Sequence, residues 1–241
     1  MRVLLGTLIL ALTATASYGG DHVPKIRGGR NGDLSQLVAN YDGLQISKVG
    51  NHKTGRIDIA LVYGTDSLTI EARPDRTRVT RNGKTVDLTS AKTLLEAQAL
   101  LADSEAVMAA RQLLAEQIDV STLDVPDMAL LTAVAFTVAV GGDVDAPRRL
   151  ADRYMSKTFG LVKVRQRTRA GCGSSYSTEV SAAWDDLQAC MNEANQDERG
   201  IVERAARRLA CNGVWLGRSE TAWFEYLDCI SLSGLGGMAG K

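Results

Sequence analysis

Four cysteines are the residues best placed to do chemistry in this chain, and all lie in its last third: Cys172, Cys190, Cys211 and Cys229. They form two pairs of equal internal spacing, 18 residues from Cys172 to Cys190 and 18 from Cys211 to Cys229. A zinc site needs thiolate or imidazole ligands, typically with a Cys-x-x-Cys element. No Cys-x-x-Cys occurs, and the only two histidines, His22 and His52, are distant in sequence. An even number of cysteines in one short region reads instead as two disulfides, provided the compartment is oxidising. The expectation is therefore no metal and no cofactor.

The N-terminus argues for such a compartment. Met1-Arg2 is a short basic start, Val3 to Leu12 is an apolar run, and Ala14-Thr15-Ala16 places small residues at alternate positions. This is the pattern of a secretory signal peptide cleaved after Ala16. The run is too short to cross a bilayer core of ~30 Å as a helix, and no later stretch has the composition of a spanning helix. The expected location is secreted or periplasmic, with no transmembrane segment after cleavage.

A second chemical feature is a cationic stripe. Lys163, Arg165, Arg167 and Arg169 alternate with Val164, Gln166 and Thr168. In a strand all four cations would share one face, suited to an anionic partner or to keeping an edge strand from aggregating. In an extended loop the stretch would invite a processing protease, with Arg169 as the cleavage point. Other candidates are weaker. Asp185 and Asp186 are adjacent, so on a helix they point about 100° apart and do not share a proton. Gly141-Gly142-Asp143-Val144-Asp145 has a passing look of a calcium loop but lacks the terminal glutamate. Nucleophile elbows, P-loops, His-Glu-x-x-His and Gly-x-Gly-x-x-Gly are all missing from the chain.

The 241 residues are 45% hydrophobic and 23% charged, with a formal net charge of zero. That is ordinary globular composition with no global field for nucleic acid. The segment from Ala170 to Lys241 carries ten acidic and six basic residues, a net of −4.

The elements that must position these residues point to an α+β fold. Residues 17–43 read as a flexible, glycine-rich polar arm. Between Leu44 and Leu88 apolar residues alternate with polar ones, as in Ile57, Ile59, Leu61 and then Leu68, Ile70 and Ala72. This predicts an antiparallel meander of four or five strands. Asn82-Gly83 is a type I′ turn signal. Its two-residue loop sets Val79 opposite Val86 and Arg78 opposite Asp87, an apolar pair and an opposite-charge pair. Helices follow over 90–158. One runs from a Thr89 or Ser90 cap to about Gln117, with Leu94, Ala97 and Leu101 on its apolar face. Another is the all-apolar stretch 128–140, read as a central buried helix in preference to a strand or a membrane-inserting segment. A third begins beyond Asp145, which would cap it. The domains are thus expected as 44–169 and 170–232, followed by a glycine-rich tail over 233–241.

The C-terminal region is predicted as three short helices in up-down-up order. Cys211-Asn212-Gly213 would stop the second, and Trp215 would lie in the loop as an exposed contact residue. Cys172 and Cys190 would sit at opposite ends of the first helix, ~20 Å apart, beyond the ~7 Å a disulfide tolerates. In a three-helix bundle this predicts Cys172–Cys211 and Cys190–Cys229.

The function that follows is an exported, non-catalytic protein whose stapled helical module binds a protein or cell-envelope partner, using Trp215 and the stripe Lys163, Arg165, Arg167 and Arg169. A second reading is a precursor that releases a four-cysteine antimicrobial or signalling peptide by cleavage near Arg167 to Arg169. A third is a secreted hydrolase working through carboxylates, which only the fold would bring together.

Overall fold

The computed structural model describes residues 26–115, 123–161, 171–196, 198 and 200–232, with side chains of the helix ending at 161 described as far as 153. The fold is α+β: an antiparallel sheet, then helices, the last two joined by disulfides.

Seven strands form one meander in chain order: β1 (Arg27–Asn31), β2 (Leu34–Tyr41), β3 (Leu44–Asn51), β4 (Arg56–Tyr63), β5 (Asp66–Ala72), β6 (Thr77–Arg81) and β7 (Lys84–Leu88). One face is apolar and buried, through Leu37, Ile46, Ile59, Leu61, Leu68, Ile70 and Val79. The other presents Ser47, Ala60, Thr69, Thr80 and Thr85 in one row across the strands. The β6–β7 register has Val79 opposite Val86 and Arg78 opposite Asp87, as the Asn82-Gly83 turn dictates. Arg78 Nε donates to Asp87 Oδ1 at 2.7 Å. Asn82 and Gly83 have φ of 47° and 81°, the left-handed values that a type I′ turn requires. Asp42-Gly43 repeats this between β2 and β3, with φ of 44° and 87°.

The expected arm over 17–43 is corrected from residue 27 onward: it is β1 and β2. One of its glycines serves packing. A Cβ at Gly28 would stand 2.5 Å from Leu37 Cδ2, so glycine lets β1 close onto the buried Leu37.

Two helices, α1 (Ala91–Leu101) and α2 (Glu105–Ala115), replace the single long one expected. Ser90 caps α1 in a reciprocal box with Thr93. The break comes from β5. Asp66 Oδ2 accepts from the Ser104 hydroxyl at 2.6 Å and from Ala106 N–H at 3.1 Å, so a sheet carboxylate caps α2. Arg81 Nε donates to the other Asp66 oxygen at 2.8 Å, and Arg81 Nη1 donates to the Leu100 carbonyl at 2.8 Å, closing the end of α1. Burial opposes ionisation of Asp66, but the Ser104, Arg81 and Ala106 donors outweigh it and hold this carboxyl below its usual range.

α3 (Val125–Val140) is the central helix, with every residue from Met128 to Val140 buried. Burying a single Val, Leu or Phe side chain is worth ~1.5–3 kcal/mol, so this helix is a large part of the core. The buried-helix expectation holds and the strand alternative does not. Asp124 and Asp127 form its capping box, and burial, together with the neighbouring Asp124, pushes the Asp127 carboxyl up to about 7. α4 (Ala146–Leu161) packs on α3. Asp145 pairs through its side chain with Arg208.

The C-terminal region is a hairpin of two long helices, α5 (Cys172–Asn195) and α6 (Ile201–Leu232). The second and third expected helices are one. Gly213 keeps a helical conformation, and Asn212, fully buried, donates to the Val144 carbonyl at 2.9 Å. The disulfides are therefore Cys172–Cys229 and Cys190–Cys211, correcting the predicted pairing. Their Cα–Cα distances are 5.7 and 5.8 Å. In an antiparallel hairpin the start of α5 meets the end of α6. The equal spacing has a direct cause: 18 residues are about five helical turns, so both cysteines of each helix lie on one side, at heights about 27 Å apart.

The core is continuous. One buried cluster contains Ile59 of the sheet, Phe136 of α3, Leu187 of α5 and Trp223 of α6. The expected division near residue 170 thus does not separate two hydrophobic cores. α1, α2, α3 and α6 touch the inner face of the sheet, while α4 and α5 form an outer layer.

Candidate functional site

Strand alternation puts Lys48 on the inner face of β3, in line with Leu44 and Ile46, where an apolar residue would be ordinary. It is 1% exposed. Its partner is Glu220 of α6, whose two carboxylate oxygens accept from Lys48 Nζ and from the Ser35 hydroxyl of β2. The Lys48 ammonium also stands 6.0 Å from the Trp223 ring centroid. Gly50 is required here, because any Cβ would collide with the Glu220 carboxylate. Serine, lysine and glutamate in one cluster resemble hydrolytic machinery, but Ser35 is 0% exposed, so no substrate reaches its hydroxyl. The cluster is a buried ionic tie between sheet and hairpin.

Just outside it, Phe224 stacks on His52 with centroids 4.2 Å apart and planes 3° from parallel. The Arg30 guanidinium lies 4.1 Å from the same ring and pairs with Asp228. These contacts seal β1 and the β3–β4 turn onto α6.

The open concavity lies farther along α6. A groove of about 600 Å³ runs between one face of that helix, the β5–β6 turn and the start of α1. Its helical wall is Ala206, Ala210, Gly213, Gly217 and Thr221, spaced as one stripe of small side chains. The facing wall includes Pro74 and Ala91. Among the described residues, Arg73, Arg76 and Arg218 line it together with one carboxylate, Asp75. Arg73 Nε lies 2.8 Å and Arg76 Nη2 3.9 Å from Glu71, and Arg218 pairs with Asp186 on α5, so each of the three has a carboxylate beside it. Val214 is 61% exposed beside the stripe. Glycine inside a helix costs about 1 kcal/mol relative to alanine. A Cβ at Gly217 would meet nothing within 4 Å, so no packing contact accounts for glycine there.

The sequence-predicted residues fall elsewhere. Trp215 is 3% exposed within α6, so it belongs to the core and is corrected as a contact residue. Lys163, Arg165, Arg167 and Arg169 lie outside the described residues, as do the leader, the Ala16 cleavage point and the tail over 233–241. Among the described residues no group of three or more His, Cys, Asp or Glu side chains could hold a metal ion. Sequence reasoning missed Lys48, Glu220 and the groove. A charged residue at an inward strand position was the available signal for Lys48. The small-residue stripe is hidden because Cys211-Asn212-Gly213 is locally helix-ending chemistry.

Compared with family models, curated proteins and solved structures, the chain matches none. Two disulfides fit an extracellular or secreted protein. No described helix is long and apolar enough to cross a membrane.

Proposed function

We propose that this is an exported, non-catalytic binding protein, and that the α6 groove takes an apolar protein segment carrying a carboxylate. The observation that carries this reading is Gly217. It is a helix-weakening residue with open space above it, in the wall of a groove lined by three arginines. Glycine is favoured where another chain must approach a helix closely. The arginine rim suits an acidic group through charge-assisted hydrogen bonds. The groove also weighs against the precursor reading. Pro74 and Ala91 on one wall and Ala210 on the other belong to the two parts that cleavage near Arg169 would separate.

A photoreactive amino acid at Val214, in the producing cell's envelope or medium, tests the proposal. The expected result is one discrete adduct that is lost when Gly217→Phe fills the groove. The same adduct from a probe at Thr85, on the outer sheet face, or no adduct at Val214, would overturn it.

A further inference from the structure

A second cavity, of about 340 Å³, lies where α2 and α3 end and α4 begins. Its floor is apolar, with Leu114, Val138 and Leu150. Among the described residues its rim holds three guanidiniums, Arg111, Arg149 and Arg153, and one carboxylate, Asp143. Arg111 Nη2 donates to the Gly141 carbonyl at 2.7 Å, and Arg153 Nη1 to the Leu114 carbonyl at 2.7 Å. Arg149 pairs with Asp143 and is 54% exposed at its side chain.

Capping explains part of this. Carbonyls at helix C-termini attract cations, and one N–H satisfies one carbonyl. It does not explain why Arg149, which pairs with Asp143, joins the other two around a cavity with an apolar floor. We propose that this cavity binds a small organic anion: a phosphate or similar oxyanion on an apolar body. The planar guanidinium fork matches an oxyanion with two parallel hydrogen bonds, which an ammonium could not offer. The floor would take the apolar body, and the volume falls at the small end of the ~300–1,000 Å³ typical of ligand sites. Asp143 occupies Arg149 in the absence of ligand, so an incoming anion competes with it. No lining residue is shared with the α6 groove, and the two proposals fail independently.

Titration calorimetry on the full chain at low salt tests this, with phenyl phosphate, inorganic phosphate and phenol as probes. Co-sedimentation with phosphatidylglycerol vesicles forms a second arm, which distinguishes a lipid headgroup from a soluble anion. Phenyl phosphate is expected to bind at least tenfold tighter than inorganic phosphate, with phenol silent. Arg149→Gln should weaken binding tenfold or more with the thermal midpoint unchanged, and Asp143→Asn should tighten it. Binding in either arm that depends on Arg149 supports the site and names its source. No binding in either arm, or binding indifferent to both substitutions, would overturn it.

Discussion

Replacing Glu220 by alanine should destabilise the protein by about 3–5 kcal/mol, the range for removing one partner of a buried ion pair. The cost arises because the Lys48 amine would be left buried at 1% exposure with its carboxylate partner gone. The Ser35 hydroxyl would lose its acceptor at the same moment. Lys48→Met should cost a similar amount for the mirror-image reason. The double replacement Lys48→Met with Glu220→Leu should recover most of the loss, because apolar side chains of similar volume can substitute for a buried pair. Urea denaturation of the four proteins measures this as a double-mutant cycle. Additive losses would show that the two residues do not act as a pair. The tie spans 172 residues of sequence. It joins the sheet to the last helix, so the wild type should unfold in one transition.

Removing Cys172–Cys229 by a double serine replacement should cost about 4 kcal/mol, and removing Cys190–Cys211 about 3 kcal/mol, in the chain-entropy view. The order follows from loop length. The first bridge closes a sequence separation of 57 residues and the second 21. Non-reducing peptide mapping of the purified protein should recover these two pairs. Recovery of Cys172–Cys211 would mean that α6 is broken near Gly213, since in an unbroken α6 Cys211 sits at the pole opposite Cys172.

What could be read from sequence divides along the range of the interactions. The Asn82-Gly83 hairpin was legible to the residue, because a two-residue turn and its flanking pairs lie within ten positions. The α3 helix was legible because thirteen consecutive buried residues need no partner to announce them. The α1–α2 break was not, since Asp66 caps α2 from 40 residues away. Trp215 and the cysteine pairing failed together and for one reason. Cys211-Asn212-Gly213 is good helix-ending chemistry locally, but Asn212 spends its amide on Val144 and the packing against α3 and α5 carries the helix through. Lys48 and Glu220 illustrate the limit of pattern reading. Each is an unremarked charge in its own segment, and only the fold brings them together.

In the function proposed above, sheet and hairpin act as one exported body, with the α6 groove as its working surface. The most direct test is the intact mass of the protein taken from periplasm or culture medium. One species containing both β1–β7 and the α5–α6 hairpin is the expected result. A stable fragment beginning near Ala170, with the sheet region absent, would contradict the claim and restore the released-peptide reading.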